Sequence, residues 1–288
     1  NSNLMKGLFL GLSTLDLIYR VERLPQPNEK IVALDAAIAA GGPATNAAVT
    51  FAHLGGEAQL CAAIGQHPNS NLIRTDLDTQ KVAIADLTPQ ATESPPVSSI
   101  LVTAATGDRA VVSLNAQKQQ VNTHFPPNFL DKIDIILIDG HQMAASREIA
   151  RQAKQHQIPI VIDGGSWKSG FETVLPYADY AICSANFHPP NCTTTEQVFA
   201  NLVSLNIAHI AITQGAEPIL YRTENASGRV AIDPIEVVDT LGAGDIFHGA
   251  FCYFILHQDF TTALQSASQI AAKACQSFGT RVFLGSRS

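Results

Sequence analysis

Toward its C-terminal end the chain sets three small residues and a carboxylate in a row, Gly242-Ala243-Gly244-Asp245, directly before the apolar stretch Ile246 to Leu256. Small residues let a backbone approach a ligand closely, and the N–H groups at a helix start form the positive end of its dipole, so the spot suits an anion. A carboxylate in the first helical turn suits that dipole but repels a resting phosphate. Its presence makes sense if Asp245 takes a proton from an attacking hydroxyl while the amides hold a transferring phosphoryl group. A bare Gly-x-Gly is met more often in a capped helix with a glycine turn than at an anion site. The string is not a dinucleotide fingerprint, because position 247 is Phe, and no G-x-x-x-x-G-K-[ST] occurs in the chain.

A second small-residue cluster, Gly41-Gly42-Pro43-Ala44-Thr45-Asn46, precedes the apolar run Ala47 to Leu54, which Gly55-Gly56 closes. Pro43 suits a first helical position. Close helix packing alone would also account for these glycines.

Elements that could position both clusters follow from the apolar pattern. Gly7 to Leu12, Gln59 to Ile64, Ile133 to Asp139, Pro159 to Asp163, Tyr180 to Ser184 and Ile210 to Thr213 read as strands. Several lack polar alternation, as strands covered on both faces do. Ala144 to His156 and Glu196 to Leu205 carry helical spacing, and Thr193-x-x-Glu196 has the form of a capping box for the second. The alternation predicts an α/β fold with a parallel sheet between two helical layers. Ile18 to Ile38 and Pro96 to Leu114 break the rhythm with β-branched residues and a Thr106-Gly107-Asp108 turn. They predict a small separate sheet lying as a lid over the ligand-binding edge of the main sheet, or else an antiparallel extension of that sheet.

Composition narrows the function. Of 288 residues, 46% are hydrophobic and only 15% charged, with a net charge of -7, so no basic footprint for nucleic acid is present. No apolar run reaches the roughly 18 residues of a membrane span, and Asn1 to Gly7, with one lysine, lacks the pattern of a secretory signal. Five cysteines are scattered without a C-x-x-C pair, which predicts buried free thiols and a reducing, cytoplasmic setting. The nine histidines form no H-E-x-x-H.

The whole string Asp239-Thr240-Leu241-Gly242-Ala243-Gly244-Asp245-Ile246-Phe247, with Gly249 beyond it, resembles the C-terminal signature of the PfkB (ribokinase-like) carbohydrate kinases, D-T-x-G-A-G-D. The Gly41-Gly42 cluster resembles their N-terminal signature, G-G-x-x-x-N-x-A, in the expected order. The resemblance implies a three-layer sandwich with a mostly parallel central sheet and a small β-sheet lid, one domain over residues 1–288 with lid segments at about 14–38 and 96–114. It implies ATP-dependent phosphorylation of a sugar hydroxyl, with Asp245 as base and the amides of Gly242, Ala243 and Gly244 as anion hole. Asp16, Gly41, Gly42 and Asn46 would meet the sugar, and Arg109 fits a lid position that faces the substrate or solvent. Thr213 and Gly215, in Thr213-Gln214-Gly215, would line the nucleotide, with Lys273, Gly279 and Arg281 on the last helix and loop that flank the adenine. Asp239 would sit at a monovalent-cation loop, which brings K+ beside the Mg2+ that ATP requires. The uncovered lid sheet offers a surface for a homodimer.

Two departures stand beside the match. The family's N-x-x-E, whose Glu organises magnesium through water, should follow Tyr180 to Cys183, yet Ser184 to Phe187 and Asn186 to Pro189 supply no Glu. Ala216-Glu217-Pro218 replaces the usual second glycine after T-x-G. Within the family the motifs look most like the ketose and sulfofructose kinase branch, with a nucleoside kinase as the alternative. Outside kinase activity stand a catalytically weak paralogue that binds sugar or nucleotide, which the missing Glu keeps open, and a Rossmann oxidoreductase, which lacks its fingerprint.

Overall fold

The computed structural model describes residues 4–114, 121 and 124–285; residues 1–3, part of the N-terminal stretch tested for a signal, lie outside it. In chain order the elements are β1 (Lys6–Leu10), β2 (Thr14–Val21), β3 (Asp35–Gly41), α1 (Pro43–His53), β4 (Glu57–Ala62), α2 (Pro68–Thr79), β5 (Val82–Asp86), β6 (Val97–Thr103) and β7 (Arg109–Ser113). There follow β8 (Ile135–Ile138), α3 (Met143–Gln155), β9 (Ile160–Gly164), α4 (Phe171–Val174), β10 (Tyr180–Ser184), α5 (Thr195–Ser204), β11 (His209–Gln214), β12 (Glu217–Thr223), β13 (Ser227–Val230), α6 (Ala243–Phe254) and α7 (Phe260–Cys275).

Nine strands form the main sheet in the order β13-β12-β11-β10-β9-β8-β1-β4-β5. From β11 to β5 every pair is parallel, and the hairpin of β12 and β13 adds an antiparallel edge. Both faces are covered, which is why these strands read as unbroken apolar runs. Phe9, Leu60, Leu137, Val161, Ile182 and Ala211 pack in one core with residues of α1, α2, α6 and α7. Their neighbours Leu8, Leu10, Ile136, Ile138, Ile160 and Ile212 pack in another with α3 and α5.

The two segments outside the rhythm do form a separate sheet, in the order β3-β2-β6-β7. Its central pair, β2 and β6, is parallel, and the outer pairs are antiparallel. The strands are shorter than the segments from which they were expected, because residues 22–34 run as an exposed loop. One side of this sheet contributes Ile18, Ile100 and Val102 to a small core with Leu241 and Phe278 from the main body. The turn at Gly107, where φ is +70°, lies against Val237 and Val238, so the sheet docks on the loop that leads into α6.

One expectation shifts by a residue. The capping box of α5 is Thr194 with Gln197, not Thr193 with Glu196. The Gln197 side-chain oxygen accepts from the backbone N–H of both Thr193 and Thr194, which an N3 residue can do only when the helix opens at Thr195.

Candidate active site

Both small-residue clusters become helix starts, and the two starts meet. Gly42 is the N-cap of α1 at φ 96° with Pro43 as first helical residue, and a side chain on Gly42 would strike the Leu12 carbonyl oxygen at 2.5 Å. Gly242 is the N-cap of α6 in the left-handed region, φ 69°. The two helices pack closely because Gly249 presents no side chain: a Cβ there would lie 2.2 Å from the Ala47 carbonyl oxygen. Asn46 and Asp245, 199 positions apart, are thereby brought together, with Asn46 Nδ2 donating to Asp245 Oδ2 at 2.9 Å.

Asp245 occupies the first turn of α6, as its sequence position requires. Burial pushes its carboxyl up to about 7, the nearby Asp163 carboxylate adds to the rise, and the Asn46 amide and the His248 ring oppose it. A carboxyl poised near neutrality is what a general base needs at physiological pH. The helix it stands on is tied to the sheet through His248, whose Nδ1 lies 2.7 Å from the Gly244 carbonyl oxygen and whose Nε2 lies 3.0 Å from that of Ile182. Asp163, at the end of β9, is 3.6 Å from the same ring. Gly244 itself is exposed, with nothing within 4 Å of where a side chain would begin.

On the lid-sheet side of the two helix starts, Asp16 lies buried in β2 and accepts from the Thr14 hydroxyl at 2.6 Å. Burial raises its carboxyl above the ordinary value, opposed by Thr14, Ser98 and the Arg281 charge. Gly41 closes over it: a Cβ there would fall 1.8 Å from Asp16 Oδ2. Asp139, beyond β8, accepts from the backbone N–H of Leu12 at 2.8 Å, Ala44 at 3.1 Å and His141 at 2.9 Å. Burial pushes Asp139 up, but the charge and hydrogen bond of His141, the Leu12 amide and Lys168 together hold it down at about 2. This carboxylate ties the turn after β1 to the start of α1, and so fixes Asp16 and Asn46 relative to each other.

On the opposite side, Thr213 and Gly215 stand at the end of β11, with Gly215 at φ +66° and open space around it. Lys273 is exposed in the last turn of α7. Asp239 is buried, and each of its oxygens accepts one backbone N–H, from Leu241 at 2.8 Å and from Gly279 at 2.8 Å. It therefore staples the loop before α6 to the loop after α7, and lone pairs remain on both oxygens for a cation. Arg109 is not drawn into the Asp16 and Asn46 group. Its guanidinium donates to the Thr240 carbonyl and hydroxyl at 3.2 and 3.0 Å, beside the Gly242-Ala243-Gly244 turn. Arg281, expected with the nucleotide, instead donates to Asn46 Oδ1 at 3.1 Å.

No three His, Cys, Asp or Glu side chains gather as a metal cage among the described residues. A divalent cation here would take most of its ligands from phosphate and water. Asp139, Asp163, Asp76 and His248 are the residues that sequence reasoning did not single out. Two of them had a signal: Asp139 and Asp163 each follow an apolar strand run and precede glycine, at the sheet edge where α/β folds bind ligands.

Comparison with known proteins gives one consistent picture. The family model described as pfkB family carbohydrate kinase matches residues 6–285. A ribokinase of Bacillus subtilis is 24% identical over 278 residues, covering 94% of this chain and 93% of its own. Among solved structures, a ribokinase of Thermotoga maritima superposes with a TM-score of 0.82 at 19% identity, covering 99% of this chain and 97% of its own. A ribokinase of Arabidopsis thaliana, solved with ribose and ATP, superposes with a TM-score of 0.78 at 19% identity, covering 99% of both chains.

Proposed function

Because the chain belongs to the pfkB family of carbohydrate kinases, we propose that it transfers the terminal phosphoryl group of ATP to a hydroxyl of a sugar or sugar-like molecule, with Asp245 as the base. The observation that carries this reading is the position of Asp245: in the first turn of a helix whose Gly244 is open to solvent, with its carboxyl raised to about 7 and held by Asn46. The acceptor hydroxyl gives its proton to Asp245 as its oxygen attacks phosphorus and ADP leaves, and the amides of Gly242 and Gly244 would hold the transferring oxygens, joined by the Ala243 N–H once it leaves the Thr240 carbonyl, to which it donates at 3.3 Å. Asp16 and Asn46 supply the acceptors and donors that suit paired hydroxyls, with Gly41 and Gly42 allowing close approach.

ATP is assigned to the side of Thr213, Gly215, Lys273 and Gly279. Mg2+, held by the phosphates and water, neutralises their charge. A K+ ion at Asp239 accords with the free lone pairs there. Arg109, held at Thr240 by the lid, would reach phosphate or acceptor as the lid closes. The lid's outer face exposes Tyr19, Ile38 and Val112, which supports pairing with a second copy. Free, mostly buried cysteines accord with a cytoplasmic setting, and among the described residues no helix is long and apolar enough to cross a membrane.

A coupled ADP-release assay over pentoses, hexoses, ketose phosphates and nucleosides, with and without Mg2+, tests the reading. Turnover that needs Mg2+ and a polyol supports it. Absence of turnover with tight sugar or nucleotide binding would favour the weak paralogue that the missing Glu after β10 suggests.

A further inference from the structure

Arg281 follows Gly279 and Thr280 in the loop after α7, yet its side chain crosses to the acceptor side of the site. Its Nε and Nη2 donate to Asp76 Oδ2 on α2 at 3.2 and 3.0 Å. Its Nη2 also reaches the Ala40 carbonyl oxygen, and its Nη1 donates to Asn46 Oδ1 at 3.1 Å. The same Asp76 oxygen accepts the Ala40 N–H at 2.9 Å, so both ends of the Ala40 residue are held by this one pair. Ala40 precedes Gly41, the residue packed on Asp16, at the point where the lid strand β3 runs into α1. Arginine and aspartate are both largely enclosed, at 17% and 18% side-chain exposure.

The chemistry of the groups then fixes an orientation. A guanidinium only donates, so the atom of Asn46 facing it must be the amide oxygen, and the NH2 must face Asp245. Without that donor the amide could turn over and present its oxygen to a carboxylate. We infer that Arg281, braced by Asp76, is a positioning residue for the acceptor site: it sets Asn46 with its NH2 toward Asp245 and anchors the root of the lid strand beside Asp16. Lysine cannot take this place, since a single ammonium lacks the planar fork that spans Asp76, Ala40 and Asn46 at once.

The orientation itself is tested without substrate, while the kinetic consequence rests on the kinase reading. The substitution is Arg281→Lys, which keeps the charge. The Asn46 side-chain amide protons, identified in NMR spectra by their loss in Asn46→Ala, should exchange with solvent about tenfold faster in Arg281→Lys. In kinetics, the acceptor KM should rise about tenfold while the KM for ATP moves by less than about twofold. Arg281→Lys added to Asn46→Ala should raise the acceptor KM by a smaller factor than Arg281→Lys does alone, because part of the arginine's action passes through that amide and only the anchoring of Ala40 remains to be lost. Unchanged exchange overturns the inference. So does a rise in the KM for ATP alone, or a double variant whose losses multiply. If Arg281→Lys fails to fold, Asp76→Asn frees the guanidinium from its brace and takes its place, with the same shifts expected and the same results overturning the inference. If the unmodified chain phosphorylates no acceptor, the kinase reading fails and the exchange measurement alone decides the role of Arg281.

Discussion

The two sides of the cleft are built in different ways. On the acceptor side, side chains from distant segments lock one another: Asp16 under Gly41, Asp139 across Leu12 and Ala44, Arg281 across Asp76, Ala40 and Asn46. On the nucleotide side the surface is backbone and open glycine, with Gly215 and Gly244 facing free space and Lys273 exposed. Preformed polar groups that cannot move discriminate between substrates, because a wrong partner leaves them desolvated and unpaired. Open backbone amides suit a phosphate chain with little regard to what it is attached to. Under the proposed kinase reading, the contrast would put choice of acceptor on the locked side and phosphate binding on the open one.

The largest effect should come where the two sides meet. Asp245→Asn keeps the shape and the contact with Asn46 but removes the basic carboxylate, so kcat should fall by roughly 10²–10⁴-fold with ATP binding largely kept. Retention of more than about a third of the original kcat would remove Asp245 as base. Next in size, Asp16→Ala strips hydrogen bonds from a charged acceptor on the locked side alone. The acceptor KM should rise roughly ten- to a hundredfold while the KM for ATP hardly moves. If the two Michaelis constants respond the other way round, the sugar and the nucleotide have been exchanged.

How far the sequence announces this contrast differs between its halves. Both helix starts are legible, because each is a local pattern: small residues, a proline, an apolar run. The separate lid sheet is legible from its β-branched rhythm, although its parallel central pair is not. Asp139 is not legible as a brace, because its partner turn becomes adjacent only through strand order: β1 lies between β8 and β4, with Leu10 beside Ile138. Arg281 is set beside the nucleotide by the family resemblance and reaches Asn46 and Asp76 in the structure for a related reason. Loop position gives where a residue starts, and a long side chain in a folded protein reports to whatever lies across the cleft. Arg109 shows the same thing on a smaller scale, landing on Thr240 rather than among the sugar-facing groups.

Paired glycine substitutions sharpen the comparison further. A methyl group on Gly41 would fall 1.8 Å from Asp16, so Gly41→Ala must displace that carboxylate. It should cost about 1–3 kcal/mol of stability and raise the acceptor KM. On Gly244 a methyl meets nothing within 4 Å, so Gly244→Ala should stay within about 0.5 kcal/mol of the original stability while weakening ATP. Thermal denaturation and the two Michaelis constants separate these outcomes. Equal destabilisation by both variants would mean that the open side is as tightly built as the locked one.

The smallest effect concerns the stability cost of holding Asp245 ready. Its carboxyl titrates at about 7 in the folded chain, against an ordinary value of 3.8. Between those two values the folded chain binds a proton that the unfolded chain has lost, so the contribution of this group to stability is full at low pH and declines as pH rises toward 7. Asparagine carries no such penalty. Asp245→Asn should therefore match the original melting temperature near about pH 4 and exceed it near about pH 8.5. The margin will be modest, because part of the residue reaches solvent and screening reduces the penalty. The gap must open with rising pH and not with falling pH. A constant difference at both values would mean that the charge on Asp245 is carried without strain, in which case the locked side extends to the base itself.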